Sequence, residues 1–218
     1  CNDVNSTGDT PLLAAVSKGH LQVVENVLSA LGENAWQILT NKNNSGDTLL
    51  HVAVSSGDEG PILKALLDSE DRLLSENDAI SRPLGSKNAE GLSPLLVACE
   101  RNFLNIVKEL IKRGADVNTK DKNARTPLAI ASFCGCVDVM EYLLTVTAMK
   151  KLLNEKDKNL CTPLWLASRT GNLKMVKILV DAGAELSHEN NDELTAKAAA
   201  EKYLKGKVVD YFNAREIL

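Results

Sequence analysis

Between Asn88 and Asn118 the chain runs NAEGLSPLLVACERNFLNIVKELIKRGADVN, and its apolar positions form two short helical patterns. Ser93 can accept a hydrogen bond from a free first-turn N–H, and Pro94 suits the first helical position, so a helix starts there. Leu95, Leu96 and Ala98 give that helix an apolar face. Asn102, a residue type that tolerates the left-handed region, interrupts the run. In the second helix Leu104, Ile106, Val107, Leu110 and Ile111 recur near the 3.6-residue period, while Lys108, Glu109, Lys112 and Arg113 face outward. Gly114 then ends it in the left-handed manner. Neither helix can bury its stripe alone, so the unit demands neighbours.

Copies lie on both sides. Capping residues recur at Thr10, Thr48, Ser93, Thr126, Thr162 and Thr195, spaced by 38, 45, 33, 36 and 33 residues. The first five open the strings TPLLAAVSKGH, TLLHVAVSSGD, SPLLVACERNF, TPLAIASFCGC and TPLWLASRTGN. This series resembles ankyrin repeats, which have a period near 33 and a T-P-L-H-x-A motif, and the resemblance covers nearly the whole chain. It implies an all-α, ankyrin-repeat solenoid of stacked antiparallel helix pairs with finger loops. Each pair would cover the apolar side of the next. One domain over 1–218 is expected, with repeats near 5–43, 43–87, 88–120, 121–156 and 157–189 and a C-terminal cap over 190–218. The cap has a small face of Ala196, Ala198, Ala199 and Ala200, then Val208, Val209, Tyr211 and Phe212, but no Pro-Leu-x-x-Ala.

The departures from regularity are informative. The stretches ENAWQILTNKNNSGD, RLLSEND and TAMKKLLNEKDKNLC replace short links. They should extend a second helix or add a half-turn that packs two apolar residues, with Trp36 capping the first such patch. Leu49 stands where Pro is usual, and Gly60-Pro61 opens a helix after an insertion. Asp78 to Asn88 reads as a loop. Asp3-Val4-Asn5 matches Asp116-Val117-Asn118 as the end of a link. Ala124 and Leu160 replace a finger glycine, so distorted turns are expected there. The resemblance implies a structural role for His51.

Composition narrows the function classes. Aromatic residues make up 4% of the chain, as expected of thin layers built from Leu, Ala and Val. Residues 1–90 carry net −7 and residues 91–218 net +3. That gradient can steer a partner, but acids are interspersed among the bases, which argues against nucleic-acid binding. Cys1, Cys99, Cys134, Cys136 and Cys161 are odd in number and mostly fall within repeat helices. They suggest free thiols in a reducing, cytoplasmic compartment. The sequence has no secretory leader and no 18-residue apolar run, and Cys1 suggests a missing upstream segment.

No catalytic or metal arrangement, and no cofactor motif, is present. His20, His51 and His188 are dispersed, and Cys134-Gly135-Cys136 lacks the further ligands a tetrahedral site needs. Binding remains. The resemblance implies that a partner protein docks on finger tips and first-helix ends. Here these carry Glu90, Leu92, Arg101, Lys122, Arg125, Phe133, Lys158 and Arg169. Arginine and aromatic residues are enriched among interface hot spots, so a partner segment with acidic and apolar groups is expected. Asn118, with Leu110 eight residues before it, also fits the pattern that the resemblance associates with asparaginyl hydroxylation. The non-enzymatic readings are a cytosolic scaffold or adaptor, monomeric by default, and a secreted bacterial effector that captures a host protein. The alternative is the targeting arm of an enzyme whose catalytic domain lies elsewhere.

Overall fold

Thr10 accepts a hydrogen bond from the Leu13 N–H at 3.3 Å, and helix α1 (Pro11–Ser17) starts there. The same device recurs at Thr126 with Ala129, Thr162 with Trp165 and Thr195 with Ala198, at 3.2–3.3 Å. Each such cap stabilises a short helix by about 1 kcal/mol. The computed structural model describes residues 4–32, 35–57, 60–76 and 82–216, and among them every regular element is helical. The chain divides into two units: residues 1–98 with 105–116, and residues 99–104 with 117–218.

In the first unit, α1 pairs with α2 (Leu21–Leu31) and α4 (Leu49–Ser55) pairs with α5 (Pro61–Glu76). First helix packs on first helix and second on second. The link after α2 folds as a separate helix, α3 (Ala35–Thr40), which buries Leu39 against α4 and α5 and leaves Trp36 half-buried. RLLSEND instead lengthens α5 as far as Glu76; Asn77 and Asp78 lie outside the described residues.

The expected loop before Asn88 is, in its described part, a pinned turn. Pro83–Gly85 forms one turn of 3-10 helix with Leu84 buried. Glu70 Oε1 accepts from the Leu84 N–H at 3.2 Å and from Arg82 Nε at 3.4 Å. Next along the chain come α6 (Pro94–Glu100), split between the units at Ala98, and α7 (Leu104–Lys112), which falls in the first from Asn105 onward. Arg113, just after α7, donates to Asp68 and Asp71 of α5 and to Glu109.

The second unit stacks α8 (Pro127–Cys134), α11 (Pro163–Thr170) and α13 (Ala196–Lys202) as first helices. Its second helices are α9 (Val137–Leu143), α12 (Leu173–Asp181) and α14 (Gly206–Glu216), with α12 touching both others. The short α10 (Thr147–Lys150) and the turn after it bury Met149, Leu152 and Leu153. Fully buried side chains such as Leu164 and Leu179 each contribute about 1.5–3 kcal/mol. Ala199 and Ala200 are wholly buried on α13. Residues 190–216 thus have a complete helix pair without the Pro-Leu motif.

Finger loops precede the first helices, and one hydrogen-bond pattern builds six of them. The side-chain Oδ1 of Asn5, Asn43, Asn88, Asp121, Asp157 and Asn190 accepts from the backbone N–H groups two and four residues later. These side chains mimic a backbone turn. Asn5 therefore corresponds to Asp121, and the match of Asp3-Val4-Asn5 to Asp116-Val117-Asn118 is three residues out of register. Nor do Ala124 and Leu160 distort their turns. They hold φ of 60° and 58° with the same hydrogen bonds as the glycine fingers, although each carries about 1–2 kcal/mol of left-handed strain. Neighbouring fingers join through single backbone bonds: Asn44 N–H to Thr7 O and Ala89 N–H to Ser45 O in the first unit. In the second, Lys158 N–H donates to Asn123 O and Asn191 N–H to Asn159 O, at 2.9 and 3.0 Å.

Candidate functional site

The side chain at the third residue of a first helix decides how that helix meets the next finger. On α4 it is His51, fully buried. Its Nε2 lies 2.9 Å from the Leu92 carbonyl, which can only accept, so Nε2 carries the proton. Nδ1 then accepts from the Thr48 N–H at 3.2 Å and hydroxyl at 2.8 Å. On α11 the same place holds Trp165, whose Nε1 donates to the Leu194 carbonyl at 3.0 Å. Leu92 and Leu194 are equivalent finger-end residues. A histidine and a tryptophan thus make the same tie in different units.

Leu92 belongs to that tie and not to the surface. Its side chain is only 4% exposed, so the apolar contact expected there is absent from the accessible edge. Glu90 is exposed in the same finger, in the first unit. The other expected contact residues, Arg101, Lys122, Arg125, Phe133, Lys158 and Arg169, all fall in the second unit. Phe133 on α8 and Arg169 on α11 hold equivalent positions, seven residues after Thr126 and Thr162, on helices that pack together. Phe133 is 39% exposed, and the Arg125 guanidinium lies 5.8 Å from its ring centroid. Arg125 is also held by its own finger, with Nε and Nη2 each 2.7 Å from Asp121 Oδ2.

Arg169 is held differently. Its guanidinium is 5.9 Å from the Trp165 ring and 5.2 Å from Tyr203, and the two rings meet edge-on at 6.5 Å. Sequence reasoning missed both aromatic residues. Trp165 sits at the position of a motif histidine, and Tyr203 follows the last turn of a helix without the motif. Lys122 and Lys158 are exposed at equivalent finger-tip positions. Asn118 is exposed in the link between α7 and the Asp121 finger.

Nucleophilic or metal chemistry finds no support among the described residues. Burial pushes the Cys136 and Cys161 thiols up to about 11, and it raises Cys134 and Cys99 as well. A thiol held protonated is a poor nucleophile and a poor ligand. No group of three or more His, Cys, Asp or Glu among the described residues could hold a metal ion, and no described helix is long and apolar enough to cross a membrane. The first unit has a groove of about 530 Å³ lined by Pro61, Leu63, Lys64, Ile106 and Arg113. The Arg113 side chain there is already engaged by three carboxylates.

The family model for ankyrin repeats in three copies matches residues 1–77 and 62–151, and that for a single ankyrin repeat matches 159–191. The chain belongs to the ankyrin repeat family. It is similar to the poly(ADP-ribose) polymerase tankyrase of Caenorhabditis elegans, 35% identical over 89 residues, which are 41% of this chain and 4% of that protein. Tyrosine-protein kinase HTK16 of Hydra vulgaris is 28% identical over 167 residues, 77% of this chain and 21% of the kinase. The nuclear factor NF-kappa-B p105 subunit of Gallus gallus is 34% identical over 134 residues, 60% and 12% respectively. The chain therefore spans about a fifth or less of each of these relatives. The ankyrin repeat is a non-catalytic fold and a general protein-interaction module, so the enzyme names belong to the larger proteins.

Proposed function

We propose that this ankyrin array binds a partner protein through the finger tips and first-helix ends of its second unit. The observation that carries the reading is the pairing of exposed Phe133 with Arg169 at equivalent positions on packed helices. In the same unit Arg101, Lys122 and Lys158 are exposed, and none has a carboxylate partner among the described residues. An apolar ring amid unsatisfied cations suits a segment with acidic and apolar groups. The module acts as a scaffold or adaptor, and the cytoplasm is the compartment in which its free thiols persist.

The test is affinity capture from cell lysate with Phe133→Ala combined with Lys158→Glu. Arg125 is unsuitable for this because its loss would also untie the Asp121 finger. Loss of the captured protein, with unchanged circular dichroism, supports the reading; undiminished capture removes this edge from consideration. The small share of each relative that the chain spans favours a second reading, in which the array is the targeting arm of a larger protein. Asn118 is a candidate for hydroxylation, checked by a mass gain of about 16 Da, one added oxygen, after incubation with an asparaginyl hydroxylase.

A further inference from the structure

Most described arginines with an oriented guanidinium are already neutralised. Arg113 is engaged by Asp68, Asp71 and Glu109, Arg82 by Glu70 and Asp71, Arg125 by Asp121, and Arg215 by Asp181. Arg169 is the exception. Two aromatic rings flank it, with centroids 5.9 and 5.2 Å from its central carbon, and no carboxylate among the described residues accepts from it. Contact with rings in place of a carboxylate leaves its N–H fork unspent, and a side chain already confined between them loses less rotamer freedom when an anion arrives. The frame is rigid on one side, because Trp165 is buried and tied to the Leu194 carbonyl. On the other side Tyr203 is 38% exposed, so its ring can share contact with an arriving side chain.

We propose that Arg169, framed by Trp165 and Tyr203, receives an Asp or Glu side-chain carboxylate of the partner segment. This deepens the reading above and rests on it. The choice of a single negative charge over a phosphate follows from the surroundings. Two acids, Asp157 and Asp192, lie close enough to Arg169 that all three act on the Cys161 thiol. A dianion would meet more repulsion there than a carboxylate. Phe133, on the neighbouring first helix at about 10 Å, takes the apolar group next to the acid.

The experiment is selection of a displayed library of random twelve-residue peptides on the full chain. Wild type is expected to enrich peptides with Asp or Glu at a fixed position beside an apolar residue. Arg169→Glu should abolish that acidic preference or turn it to Lys and Arg. For one enriched peptide, Arg169→Gln should weaken binding about tenfold or more, as should changing the peptide's acid to its amide, since a charge-assisted hydrogen bond is lost. Tyr203→Phe should bind within about twofold of wild type, and Tyr203→Ala about three- to tenfold more weakly, through loss of the ring over the cation. An acidic preference that survives Arg169→Glu overturns the proposal, and so does a phosphoserine peptide binding more tightly than its Glu counterpart. Peptides lost with Phe133→Ala and Lys158→Glu but indifferent to Arg169 overturn the carboxylate site and leave the binding edge standing. If no enriched peptide responds to any of these changes, both readings fall.

Discussion

The fingers of the first unit turn on Gly8, Gly46 and Gly91, with φ of 76°, 75° and 78°; those of the second turn on Ala124, Leu160 and Glu193, at 60°, 58° and 60°. The hydrogen bonds are the same in both. At two of the first unit's turns a side chain has no room: a Cβ on Gly46 would lie 2.6 Å from the backbone N of Ala89, and one on Gly8 2.8 Å from that of Asn44. The second unit accepts strain and displays side chains at the tips. The contrast shows that the Asn or Asp at the start of each finger, and not the residue at the turn, dictates the backbone. It also places the side-chain-rich edge in the unit with 16 bases to 14 acids, against 9 to 15 in the first. Both features fall where the proposed partner docks.

The comparison breaks hardest at the buried rings. Trp165→Ala should lower the stability of the second unit by about 3–5 kcal/mol in urea unfolding. The counterpart His51→Ala should cost about 1–3 kcal/mol, mainly by orphaning the Leu92 carbonyl. Gly46→Ala should destabilise the first unit by about 2 kcal/mol, from overpacking against Ala89. Leu160→Gly should do the opposite and gain about 1 kcal/mol by relieving the left-handed strain, measured on the same urea scale. Ser168 offers a smaller probe: its hydroxyl is buried with no partner among the described residues, so Ser168→Ala should stabilise by up to about 1 kcal/mol.

Acid should separate the units more gently. Burial lowers the His51 pKa below its usual value near 6.5, against the raising effect of its bond to Leu92. The unfolded chain then takes up a proton that the folded chain refuses. The contribution is full above pH 6.5 and declines as pH falls below it. His51→Gln should flatten the melting temperature against pH between 7 and 5. Glu70 has the opposite sign, since burial raises its pKa; the difference between wild type and His51→Gln is therefore the readout.

Capping hydroxyls, apolar spacing and left-handed stops were legible because they are local, and the helix pairs follow from them. What the sequence hid depends on contacts across fingers. That the Leu92 carbonyl is taken up in the core is set by His51, 41 residues away. That Arg125 is tied down is set by Asp121, four residues back across a turn with no helical register to reveal it. Tyr203 was invisible because its partner Arg169 lies one repeat earlier, and an alanine-rich helix with no motif gives no sign that its end carries a ring. The register slip at Asn5 has the same origin: Asp-Val-Asn occurs twice, but only hydrogen bonding shows which residue opens a finger.

The single backbone bond from Lys158 N–H to Asn123 O makes the second unit a ruler. It fixes adjacent teeth, and with them the stems of Lys122 and Lys158, at the helix-packing pitch of about 10 Å. An extended polypeptide advances about 3.3 Å per residue. A ligand chain laid across the comb would therefore meet successive teeth with every third side chain, and deleting one residue between two of its acids would throw the second out of step.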